Sequence, residues 1–227
     1  KTGCRPCRRA RPQFRIWARP FRAAELLEEL AEGDPDLKDD LARRIKLDLN
    51  ICKFEADSPA IAGTVDDVMQ HLRAALPDMA TADLTRLILE RSEDVAPVEA
   101  VPLKPLLARL RGAGLVLGVA TNDGEAAARA QLARLGVVEQ FTFLAGYDSG
   151  FGGKPEPGMC RAFCELAGVD PGAALMVGDS THDLLAGRAA GMETLAVLTG
   201  PATAEDLRPH ADTILADIGR LPEFLGL

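Results

Sequence analysis

The sequence predicts an α/β fold: a parallel sheet core preceded by a helical segment. Three observations carry this. From about residue 100, short apolar runs alternate with helical stretches of about ten residues. Glycines punctuate that alternation, and residues 20–95 show helical spacing without a convincing strand. Apolar runs separated by helices read as strands buried on both faces of a parallel sheet.

Residues 20–96 read as a helical segment. "FRAAELLEELAEGDPDLKDDLARRI" places apolar residues at helical spacing and is interrupted at Gly33-Asp34-Pro35. "TVDDVMQHLRAAL" starts at Thr64, an N-cap residue with Asp67 three positions on. "TADLTRLILERSEDV" is a further helix, with Thr81 as its expected N-cap. Residues 97–227 then alternate. Leu103–Arg111 is an amphipathic helix and "LVLGVAT" (115–121) a strand. Glu125–Leu135 is a helix and "FTFLAG" (141–146) a strand. Gly158–Ala167 is a helix, "ALMVG" (174–178) a strand and Asp183–Ala190 a helix. "TLAVLTG" (194–200) and "DTILAD" (212–217) complete the sheet.

Composition narrows the function classes. The chain has 227 residues, 47% hydrophobic and 26% charged, with net charge -8. No apolar run approaches the ~20 residues of a membrane span, and the arginine-rich start lacks the apolar stretch of a secretory signal. We therefore expect a cytoplasmic protein with no membrane partner. Residues 1–22 carry eight Lys/Arg and no acid, which leaves eighteen bases against 34 acids in the rest. So acidic a body argues against nucleic acid as a partner. The five cysteines do not suggest a disulfide framework. The sequence sets no oligomeric state.

In parallel sheets, ligands sit beyond the carboxyl ends of strands. Three signals fall there: Ala120-Thr121-Asn122-Asp123, Gly152-Gly153-Lys154-Pro155, and Gly178-Asp179-Ser180-Thr181-His182-Asp183. Asp179 and Asp183 lie one helical turn apart and can face one point. Two carboxylates together repel unless a cation sits between them. Hard oxygen ligands that leave room for water and phosphate suit Mg²⁺. The plain alternative is a helix cap with a first-turn acid. Lys154 can neutralise a phosphate or a carboxylate. The Thr121 hydroxyl and the N–H groups at Asn122 can hold a phosphate oxygen, though Thr121 also reads as a simple N-cap.

Taken in this order, threonine, lysine-proline and GDSxxD resemble the haloacid dehalogenase-like hydrolase superfamily. "AGYDSGFGGKPEPGM" and "VLTG" look like its phosphoglycolate phosphatase-like branch. The resemblance implies a Rossmann-like core with a helical cap and a Mg²⁺-dependent phosphatase acting on a small phosphorylated substrate. An aspartate would attack phosphorus and water would hydrolyse the phosphoaspartyl enzyme. Thr121 and Lys154 would be catalytic. Thr121, Asn122 and Lys154 would bind substrate, and Asp179 and Asp183 would hold metal. A receiver domain uses similar residues, but in a different order. The resemblance also implies a first motif, Asp-x-Asp-Gly-Thr, after a mid-sheet first strand. Residues 1–19 hold a basic segment in that place, and no acid occurs before Glu25. The first core strand is thus expected to be missing or degraded. A fragment or a misread gene is the expected origin of such a segment: out-of-frame translation of a GC-rich gene gives this composition, and AAG-ACG-GGN, one spelling of Lys1-Thr2-Gly3, contains GAC-GGG (Asp-Gly) in a neighbouring frame. A natural non-catalytic protein and a basic arm for an acidic partner are the alternatives.

Overall fold

The computed structural model describes residues 18–55, 57–93 and 97–227. Most of the basic amino-terminal segment therefore lies outside the described residues. The chain divides into two compact units that meet between Val98 and Glu99.

The first unit is mainly helical. It contains α1 (Ala18–Leu30), α2 (Pro35–Arg44), α3 (Pro59–Ala62), α4 (Val65–Arg73) and α5 (Thr81–Glu93). Asp34 caps α2 by accepting from the N–H groups of Asp36 and Leu37, and Pro35 occupies the first turn. There its missing N–H costs nothing. Thr64 and Asp67 form a reciprocal capping box at α4. Thr81 is itself the first residue of α5, and the Ala80 carbonyl accepts from Asp83 and Leu84. The helices converge on Leu27, Leu41, Leu72 and Leu84, all fully buried. One feature departs from the helical expectation. β1 (Leu47–Asp48) and β2 (Lys53–Phe54) form an antiparallel pair. Strands of two residues are too short to show alternation in a sequence.

The second unit is the α/β core. Its elements are α6 (Leu103–Gly112), β3 (Gly118–Ala120), α7 (Glu125–Arg134), β4 (Phe143–Ala145), α8 (Gly158–Ala167), β5 (Leu175–Gly178), α9 (Thr181–Ala190), β6 (Glu193–Val197), α10 (Ala204–Leu207), β7 (Thr213–Leu215) and α11 (Leu221–Phe224). All strand pairs here are parallel: β3 with β4, β5 with β6, and β6 with β7. Alternation assigns the faces of the three-stranded piece. Leu195 and Val197 of β6 pack with Leu175, Val177 and Leu221 on one side. On the other side Ala196 packs with Leu184 of α9, and Met176 lies against Cys160 and Ala186.

The sheet is in two pieces among the described residues, β3–β4 and β5–β6–β7. β6, paired on both edges, buries Thr194 through Val197. β3 and β5 each have one strand partner and remain half-exposed. Leu115 and Val116, just before β3, are 38% and 43% exposed. The expectation of a missing or degraded first core strand falls on residues 1–17, which lie outside the described residues.

Cys160 and Cys164 are free, buried thiols on α8. Burial pushes the Cys160 thiol up to about 11. Only the thiolate is nucleophilic. Alkylation of Cys160 by iodoacetamide at pH 7.5 is therefore expected to run roughly 300-fold slower in the native protein than in urea, followed by mass spectrometry. Native and unfolded rates within tenfold of each other would contradict the burial.

Candidate functional site

The site forms where β3, β4 and β5 end. The Thr121 N–H donates to the Ala145 carbonyl (2.9 Å) and so extends the β3–β4 ladder by one residue. The Thr121 hydroxyl accepts from the Asp123 N–H (3.0 Å), which folds the chain into a tight turn. Thr121 is thus not the cap of the next helix, which begins after Gly124.

Asn122 points back into the protein and is 9% exposed. Its side-chain Nδ2 donates to the Lys154 carbonyl (2.9 Å), and its Oδ1 accepts from the Lys154 N–H (2.7 Å). These bonds join the loop after β3 to the loop after β4. The Lys154–Pro155 peptide between that loop and α8 is cis.

From this anchored backbone the Lys154 side chain runs inward. Its Nζ donates to the Ala120 carbonyl at the end of β3 (2.7 Å) and to Asp183 Oδ1 (2.5 Å). The Lys154 and Asp183 side chains are only 11% and 9% exposed. An ion pair this sheltered is screened little by salt.

Asp183 has two tasks. Its Oδ1 takes the lysine, while its Oδ2 accepts from the Asp179 N–H (3.2 Å), the Ser180 N–H (3.1 Å) and the Ser180 hydroxyl (2.8 Å). The Ser180 hydroxyl accepts in turn from the Asp183 N–H (3.3 Å), which completes a capping box at α9. The capping alternative weighed for the acid pair is therefore physically present for Asp183. It coexists with the lysine contact because a carboxylate has two oxygens with about four acceptor sites. Asp179, directly after β5, packs its carboxyl against Gly200 at the end of the β6 loop. A Cβ on Gly200 would lie 2.6 Å from Asp179 Cγ, so the glycine leaves the space this carboxylate uses.

Hydrogen bonds thus tie Asn122, Lys154 and Asp183 into one network, with Thr121 beside it and Asp179 joined through its backbone N–H. The Ala120 carbonyl and the Gly200 notch were not read from the sequence: a backbone acceptor has no residue signature, and Gly200 was read as the last residue of the strand "TLAVLTG". The Ser180-x-x-Asp183 spacing could have announced the capping box. His182, between the acids, has a buried Nδ1 without a hydrogen-bond partner. Among the described residues no three His, Cys, Asp or Glu side chains cluster as a metal centre.

The parallel α/β core thus brings a threonine, a lysine and an aspartate pair together at its strand ends. Residues 60–197 match the haloacid dehalogenase-like hydrolase family, and the chain belongs to it. It is 32% identical over 188 residues to a phosphoglycolate phosphatase of Mesorhizobium japonicum, covering 79% of this chain and 83% of that one. It is 36% identical over 121 residues to an N-acetylmuramic acid 6-phosphate phosphatase of Pseudomonas aeruginosa, covering 52% and 53%. Among solved structures, a HAD family hydrolase from Deinococcus radiodurans, with bound phosphate and sodium, superposes with a TM-score of 0.59. It shares 20% identity over 91% of this chain and 89% of that one, a likeness of fold. No described helix is long and apolar enough to cross a membrane.

Proposed function

We propose that this chain binds a small phosphomonoester and Mg²⁺ at the ends of β3, β4 and β5, as part of a HAD-like phosphatase. The carrying observation is Lys154, held by Asn122 and presented between Ala120 and Asp183. A sheltered ammonium at the strand ends suits a phosphoryl group, whose catalysis is mostly positioning and charge stabilisation. In this reading the Lys154 ammonium and the Thr121 hydroxyl hold phosphoryl oxygens, and the N–H at Asn122 faces them. Lys154 and Thr121 are the residues that act on the reacting group. Asp179 and Asp183 carry the hard oxygens that suit Mg²⁺, which commonly takes one or two carboxylates with waters and substrate phosphate. Asp183, whose Oδ1 accepts from Lys154 and whose Oδ2 accepts three hydrogen bonds, would give up one of these to reach the metal, so Asp179 is the better-placed ligand. When bound, Mg²⁺ would neutralise charge on the phosphoryl oxygens.

The named substrates of the relatives differ, 2-phosphoglycolate in one and a sugar phosphate in another. We take 2-phosphoglycolate as the first candidate, with the helical unit (residues 20–96) as the cap that selects it over residues 97–227 as the catalytic core. A cytoplasmic location goes with a small metabolite of this kind. Residues 1–24 carry no carboxylate that could serve as the family's nucleophile. We therefore read these 227 residues by themselves as competent to bind and not to turn over. That same absence favours the second reading, a non-catalytic phosphate-binding protein on a HAD-like fold.

The test is calorimetry of inorganic phosphate with and without Mg²⁺, alongside phosphate release from a panel of phosphomonoesters. Binding is expected to need Mg²⁺ and to weaken about tenfold or more in Lys154→Met, as loss of a charge-assisted hydrogen bond implies. No release is expected from the chain as it stands. Release that vanishes in Asp179→Ala would show that a nucleophile is present after all. Phosphate binding indifferent to Lys154 would remove the site.

A further inference from the structure

We infer that the side chain of Asn122 is a positioning residue for Lys154 and acts on phosphate only through that lysine. The inference rests on the reading of Lys154 as the phosphate-holding residue and assigns Asn122 a second task beyond its N–H. Lys154 lies in an irregular loop, 32 residues along the chain from Asn122. Its backbone N–H and carbonyl both meet the Asn122 carboxamide, the one donating to Oδ1 and the other accepting from Nδ2. This is a two-point contact of the kind a neighbouring strand would supply, so it fixes the direction of the peptide as well as its position. A lysine stem has four rotatable bonds and loses much rotamer freedom when held. Its Nζ nevertheless makes two short contacts, to Ala120 and to Asp183. Fixing the backbone at the base of the stem lowers the entropy cost of holding its tip. A serine, alanine or leucine at position 122 could not make both bonds. An aspartate would keep the acceptor and set a carboxylate oxygen against the Lys154 carbonyl.

The measurement is trace acetylation by acetic anhydride, read residue by residue by mass spectrometry, with the exposed Lys104 as internal reference. In Asn122→Ala, acetylation of Lys154 is expected to rise about tenfold relative to Lys104, the worth of one to two hydrogen bonds. Asn122→Asp is expected to give an increase in the same direction. An unchanged Lys154 rate overturns the assignment. So does a uniform rise across all lysines, which would make Asn122 a contributor to the fold at large. Phosphate calorimetry supplies the second arm. Asn122→Ala is expected to weaken Mg²⁺-dependent binding about tenfold in the parent and to have no effect in a Lys154→Met background. An equal loss in both backgrounds also overturns it. If the parent binds no phosphate, the proposed function fails, while the acetylation rates still decide the role of Asn122.

Discussion

Asp183→Ala is expected to destabilise the α/β core by about 3–5 kcal/mol, and Lys154→Met by no more than about 1.5 kcal/mol. The two residues share one ion pair, yet the consequences of losing each differ. Without Asp183, a nearly buried ammonium keeps only the Ala120 carbonyl. The N–H groups of Asp179 and Ser180 lose their acceptor at the same time, and α9 loses half of its capping box. Without Lys154, Asp183 still accepts three hydrogen bonds at Oδ2. Methionine also fills the volume of the lysine stem, so little cavity forms. Urea unfolding at neutral pH checks this, with the midpoint shift at constant slope as the readout. Equal losses in the two variants would mean that the pair contributes through mutual attraction alone.

Gly178→Ala is expected to reduce Mg²⁺-dependent phosphate binding by more than about tenfold, with a stability loss of about 1–3 kcal/mol. An added Cβ would sit 2.2 Å from Asp183 Cβ and 2.5 Å from its Oδ2. Real atoms do not approach so closely, so Asp183 or its helix must move. The helix cannot move cheaply, because Leu184 and Ala186 beside it are fully buried. Side-chain rotation leaves Cβ in place, so the backbone at position 178 or at Asp183 must shift, and that shift carries the carboxylate away from Lys154 and from the two N–H groups it serves. Gly112→Ala is the control. A Cβ there meets nothing within 4 Å, and at the end of α6 alanine is expected to be neutral or stabilising by up to about 1 kcal/mol. Calorimetry and urea unfolding on both variants separate the outcomes. Phosphate affinity unchanged in Gly178→Ala would show that Asp183 takes no part in the site.

Much of this arrangement was legible in the residues. Apolar runs between glycine-stopped helices located β3 through β7, because buried parallel strands and short helices leave that signature. Their bounds came out shorter than read: "LVLGVAT" contains a strand of three residues, Gly118–Ala120. Apolar character marks residues suited to burial, whereas the strand ends where backbone pairing ends. Thr121, Lys154 and the Asp179/Asp183 pair were visible because strand-end positions with such side chains are few. The β1–β2 pair was invisible, being too short to have a period.

The sequence by itself determined the fold class, the order of the strands along the chain, and which side chains stand at their carboxyl ends. These follow from local pattern: hydrophobic period, caps and turn residues within a few positions of one another. Only the tertiary structure decided that Lys154 reaches Asp183 across 29 residues, that Asn122 holds Lys154 across 32, and that Gly178 and Gly200 leave room for two carboxylates. Each of those facts depends on distances between segments far apart in the chain, which no local pattern encodes.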